Sequence, residues 1–193
     1  MSRMIEFPNP IRFDRLTMIF RLRGVDVYFH WTVFLIAGLM VYATRRQPWV
    51  TLAAGASWLG LIFLHEYGHA IAARHRRARV LSIELYPICC FCRYETPWSR
   101  FYHCVIAWGG IIAQLGVAVP ILLWVSVFGY SRFAPVNAVL AILGGYSLLV
   151  AAFNLLPVGR LDGTIAWGII PAFINRTKQR KRKKNSSPGW RSY

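Results

Sequence analysis

The chain has 193 residues, 56% of them hydrophobic, and a mean hydropathy of +0.40; its few charges are segregated from long apolar runs, which excludes an ordinary soluble domain and fits a small integral membrane protein. The net charge is +16, from 23 Lys and Arg against seven Asp and Glu. In a soluble domain this would suggest nucleic acid, but the basic residues gather at the ends of apolar runs, where anionic lipid headgroups and the positive-inside bias account for them, so no nucleic-acid partner is expected even for the tail Lys178 to Lys184.

Residues 1–24 carry Arg3, Arg12, Arg15, Arg21 and Arg23 and lack the short apolar core and small-residue cleavage site of a signal peptide. They are expected to form a cytoplasmic N-terminal segment, with the first apolar run as its own insertion signal. Residues 25–174 are expected to form the transmembrane domain, with apolar stretches at about Val27 to Thr44, Trp49 to Arg74, Phe101 to Tyr130 and Phe133 to Ile174. The first is near the lower limit of roughly 17 residues for a span and leans on Tyr28, Trp31 and Tyr42 as interface aromatics. The fourth is broken by Asn154, Pro157, Gly159, Arg160, Asp162 and Gly163, and polar backbone at membrane depth is tolerated only where protein or a water-filled cavity covers it. Between the second and third stretches, Leu81 to Tyr86 alternates apolar with polar ahead of Pro87, which predicts a small β-hairpin. Cys89, Cys90 and Cys92 are too close for a disulfide framework and read as apolar filler. Residues 175–193 read as a basic, disordered cytoplasmic tail.

The fold expected is therefore an all-α polytopic membrane protein with about four transmembrane helices, the fourth broken. Lys and Arg counts of 5, 2, 6, 1 and 8 before, between and after the four stretches alternate as four crossings with both termini in the cytoplasm require. The host would be a bacterial-type inner or cell membrane.

Chemistry enters in the second stretch, where His65-Glu66-Tyr67-Gly68-His69 reads HExxH. Histidines at i and i+4 share one helical face and can hold a zinc ion together, while the glutamate between them can accept a proton from the attacking water. A catalytic zinc needs three protein ligands and an open position. Glu84 and Glu95 lie in the basic segment and Asp26 precedes the first stretch, so Asp162, the one acid besides Glu66 inside a span, is the candidate third ligand. Its rival roles are a helix N-cap or a partner for Arg160. At 1.5 Å per residue, His69 lies about 7 Å and His65 about 13 Å from the end of the stretch near Arg74, a level Asp162 can also reach. His30, His75 and His103 are read as hydrogen-bonding groups, and Gly68, Gly109, Gly110 and Gly116 as sites of close helix packing. Asn154 either satisfies backbone freed by Pro157 or holds an extended substrate strand.

His65 to Ala73, together with Asn154-Leu155-Leu156-Pro157-Val158-Gly159-Arg160-Leu161-Asp162-Gly163, resembles the paired HExxH and NxxPxxxLDG motifs of the site-2 protease family of intramembrane zinc metalloproteases. The likeness covers about Val25 to Ile174. It implies a core of three transmembrane helices, a zinc ion on His65, His69 and Asp162, Glu66 as the catalytic acid/base, and cleavage of a transmembrane substrate within the bilayer. The chain departs from the family in having Trp108-Gly109-Gly110 and then Gln114 where Ala-Gly-Pro followed by Asn is frequent, the Cys89-Cys90 region in place of Gly-Gly, and Thr164 in place of a second Gly. The ligands are untouched by these changes. The function expected is that of a zinc metalloendopeptidase acting on single-span transmembrane proteins, with an inactive membrane scaffold or a metal transporter as the rival readings.

Overall fold

The computed structural model describes residues 16–44, 46–87, 90–95, 97, 99–159 and 161–186; Cys89 and Arg160 lie outside it, as do both extreme termini, and of residues 179–186 only the backbone is described. Strands β1 (Leu16–Leu22) and β2 (Val25–His30) lead into the short helix α1 (Thr32–Ala43) and the long helix α2 (Pro48–His75). Strands β3 (Val80–Leu85) and β4 (Cys90–Tyr94) precede α3 (Arg100–Phe128). Then α4 (Ala134–Leu140), a π-helical stretch Ala141–Tyr146 and α5 (Ser147–Asn154) run on as one helix, and α6 (Gly163–Ala166) and α7 (Ile169–Ser186) follow.

Among the described residues, three helices are long and apolar enough to cross a membrane: α2, α3 and the composite Ala134–Asn154. Their ends follow local chemistry. Pro48 starts α2, where its missing N–H costs nothing, and Arg74 and His75 sit in its last turn against the exposed carbonyls. Gly129, at φ 73°, stops α3. Beyond Asn154 the chain cannot continue as helix, because Pro157 lacks a donor and pushes its predecessor out of the helical region. That break carries Asp162 to the start of α6.

The expected all-α fold with four crossing helices is corrected in two respects. A four-stranded sheet of order β1-β2-β3-β4 is present, its centre a parallel pairing of β2 with β3 and its flanks antiparallel. The first apolar stretch is not one helix but β2 followed by α1, because Val25, Val27 and Phe29 alternate with Asp26, Tyr28 and His30 at the period of a strand. The hairpin β3–β4 is the far half of that sheet. Val25, Val27, Ile83 and Leu85 pack on Ile62 and Ala70 of α2, while Asp26, Ser82, Glu84 and Arg93 belong to the other face. The basic tail also differs from expectation, since α7 extends through Lys178 to Ser186; Lys, Arg and Gln are good helix formers.

Between α2 and α3 the contact is made by small residues. A Cβ on Gly68 would strike the Gly109 carbonyl and come within 2.7 Å of the Ala113 Cβ, and one on Gly109 would meet the Ala72 Cβ at 2.7 Å. In lipid, where burying apolar side chains gives no net drive to association, such close backbone approach is what holds helices together. Gly116 has open space around it and plays no such part.

Candidate metal centre

His65 and His69 stand one helical turn apart on the buried face of α2, pointing at α3. Each imidazole is fixed through Nδ1. That of His65 lies 3.0 Å from the Gln114 side-chain oxygen, and that of His69 lies 2.8 Å from the Ile106 carbonyl. Both oxygens only accept, so both Nδ1 atoms carry the proton and both Nε2 lone pairs face inward. Gly110 makes the space for this, because a Cβ there would come within 2.5 Å of His69 Nε2 and 2.8 Å of His65 Cε1.

Asp162 completes the cluster. Its Oδ2 lies 2.9 Å from His65 Nε2 and 3.2 Å from His69 Nε2, and the two Nε2 atoms are 3.0 Å apart. Three acceptor atoms at this spacing need a shared positive charge, either a proton on one imidazole or a metal ion among them. Ligand bonds of about 2.0–2.1 Å in a tetrahedron give ligand–ligand edges of about 3.3 Å, so the donor set and spacing both fit a zinc ion held by two imidazoles and a carboxylate, with one position left open. The residues His65, His69 and Asp162 are thus able to hold a metal.

The rival acids are otherwise engaged. Glu84 is bound by Arg93 at 2.7 Å and Asp26 by Arg21 at 2.6 Å, while Glu95 is exposed. Asp162 occupies the N-cap position of α6 but makes no side-chain cap bond, its carboxylate going to the histidines instead. Glu66, one residue after His65, is buried, and the Cys92 backbone of β4 lies beside its carboxylate. Asn154 ends α5 half-buried, and its carboxamide makes no hydrogen bond among the described residues. His30 is buried away from this cluster, its Nδ1 2.6 Å from the Thr32 hydroxyl.

Two contributions to the site were not assigned from the sequence. The carbonyl of Ile106 carries no sequence signal at all. Gln114 does, as the single carboxamide within the apolar helix α3, fully buried, where polar groups are expensive unless engaged. Gly110, read as a packing glycine, instead clears room for the imidazoles.

No family model matches the chain. A protein of Synechocystis sp. named "Putative zinc metalloprotease" is 31% identical over an alignment covering 77% of this chain and 43% of the relative, so the chain spans less than half of that protein's length. Among solved structures, the site-2 protease from Methanocaldococcus jannaschii matches with a TM-score of 0.60 at 20% identity, over 81% of this chain and 71% of the other. At that identity the likeness is one of fold.

Proposed function

We propose that the chain is a member of the site-2 protease family, an intramembrane zinc endopeptidase hydrolysing peptide bonds of single-span transmembrane substrates; the motif pair His65 to His69 and Asn154 to Gly163, the zinc-metalloprotease relative and the shared fold support this reading. The observation that carries the reading is the convergence of His65, His69 and Asp162 on one point with Glu66 buried beside them. A zinc ion bound there supplies Lewis-acid chemistry, polarising a carbonyl and lowering the pKa of water to about 7. Glu66 takes a proton from the attacking water and hands it to the leaving amine. Its position directly after a ligand favours this role over an inert scaffold or a transporter, since neither needs a base there.

A helical substrate hides its carbonyls in i to i−4 bonds and must unwind to be cut. The break after Asn154 and the edge strand β4, whose Cys92 backbone lies beside Glu66, offer the unwound peptide donors and acceptors. In this reading Asn154 holds the substrate backbone.

Membrane placement follows from charge and length. The ends of α2 and α3 that meet the Arg74 to Arg100 segment, and the basic end of α7, face the cytoplasm and its anionic headgroups. Six residues of β2 at about 3.3 Å and twelve of α1 at about 1.5 Å reach roughly the height of α2, so in this reading the strand and helix together return the chain across the bilayer, and the charge alternation puts both termini in the cytoplasm.

The test is cleavage in proteoliposomes of a single-span substrate labelled at both ends. Wild type should cut within the span. Glu66→Gln should keep its zinc and lose roughly 10²- to 10⁴-fold in rate, the usual share of general acid/base catalysis. Equal turnover by the two proteins would remove Glu66 from the chemistry.

A further inference from the structure

The two histidines are not oriented by the same kind of group. His69 donates to the Ile106 carbonyl, a backbone atom fixed by the helix. His65 donates to Gln114, a side chain that can rotate about its terminal bond. The two ends of that carboxamide have opposite effects. With its oxygen toward Nδ1, His65 presents the Nε2 lone pair to a metal; with its NH2 there, the proton is driven to Nε2 and the ligand is lost. Something must hold the amide the right way round.

Gln114 is fully buried, yet its Nε2 has no hydrogen-bond partner among the described residues. One other buried side-chain atom among them shares that condition, the Ser147 hydroxyl at the start of α5. The two belong to helices in contact. Gly144 rests against Ile121 and Leu122 of α3; one turn on along the chain from Gly144 is Ser147, and one turn back along antiparallel α3 is Ala118, with Gln114 a turn further. By the rise of 1.5 Å per residue, Gln114 and Ser147 are about 6 Å apart along the axis. Ala118 and Ala151, the small residues beside them on the two helices, are both buried. Both atoms need a partner, and one buried water accepting from the Gln114 amide and donating to the serine would supply it to both.

We propose that Gln114 is the positioning residue for His65, and that a buried water shared with Ser147 fixes its carboxamide with the oxygen toward Nδ1 so that Nε2 is free to bind zinc. The inference rests on the zinc reading above and is tested apart from turnover. Met and Glu match glutamine in length, but Glu can accept from Nδ1 and Met cannot. The full chain in detergent micelles would be titrated with zinc against a chromophoric chelator, the folded state of each metal-free variant being checked by its thermal melt.

Gln114→Met should weaken zinc binding roughly 10- to 100-fold, as loss of the group that orients a ligating histidine does, while Gln114→Glu should bind within a few-fold of wild type or tighter. Ser147→Ala should weaken binding by less than Gln114→Met, with recovery in Ser147→Thr. The cobalt-loaded Glu variant should keep the wild-type visible spectrum. If packing alone mattered, the order would reverse, with Met retaining zinc and the buried Glu losing it. Wild-type affinity in folded Gln114→Met, or a folded Gln114→Glu that loses zinc, would overturn the assignment. Should the Met variant not fold, Ser147→Ala carries the test, and unchanged affinity there would remove the shared water. A wild type that takes up no zinc would refute the metalloprotease reading itself.

Discussion

The two halves of the metal cluster are built on different rules. His65 and His69 sit on one rigid helix, a turn apart, and α3 is locked against that helix by the close contact of Gly68 with Gly109. Asp162 comes from the break between α5 and α6, where regular structure gives way and a four-residue helix restarts the chain. The helical half sets the geometry through periodicity. The broken half supplies charge, and it reaches the histidines only because Gly163 lets the chain fold back on Leu155 and Leu156, whose carbonyls a Cβ at that position would strike. The candidate metal site therefore has a stiff helical half that defines direction and an irregular half, held by a close backbone contact at Gly163, that closes it.

Breaking the stiff half should have the larger effect. Gly110→Val places carbon atoms against both imidazoles at once, where even a Cβ comes within 2.5 Å of His69 Nε2. Zinc measured by elemental analysis on folded, purified protein should fall to background, and near-normal zinc would show that the two helices can separate freely. Gly163→Ala acts on the other half and on one ligand alone. It should lower zinc affinity by roughly 10-fold, at the low end of what misplacing a supporting group costs. A loss as severe as that of Gly110→Val would mean the aspartate's segment is as rigid as the helices.

Asn154→Ala should have the smallest effect. Zinc and fold should persist, with weaker cleavage of a helical substrate and a lesser loss on one already loosened by Gly or Pro near the scissile bond. Equal losses on both substrates would leave Asn154 the humbler task of satisfying backbone at the break.

The same contrast explains how much the sequence made visible. His65 and His69 are legible because a spacing of four on a helix is a spatial statement, and Asp162 because an acid inside an apolar span demands a reason. The helices α2 and α3 are legible from apolar length. The sheet is half visible: the alternation in β3 is readable, whereas Val27 to His30 merges with the apolar run to Thr44, whose length is near the lower limit for a spanning helix. A parallel partner more than fifty residues away leaves no local mark, so the pairing of β2 with β3 could not be anticipated. Nor could the Ile106 carbonyl, since any residue there offers the same oxygen.

The central claim, that His65, His69 and Asp162 together hold one catalytic zinc, is tested most directly by counting metal in purified protein. Wild type should carry about one zinc per chain, the number a single tetrahedral site implies, and Asp162→Ala should lose it nearly as completely as His65→Ala. Full zinc occupancy in Asp162→Ala would contradict the account, because the two histidines would then be completed by some other group.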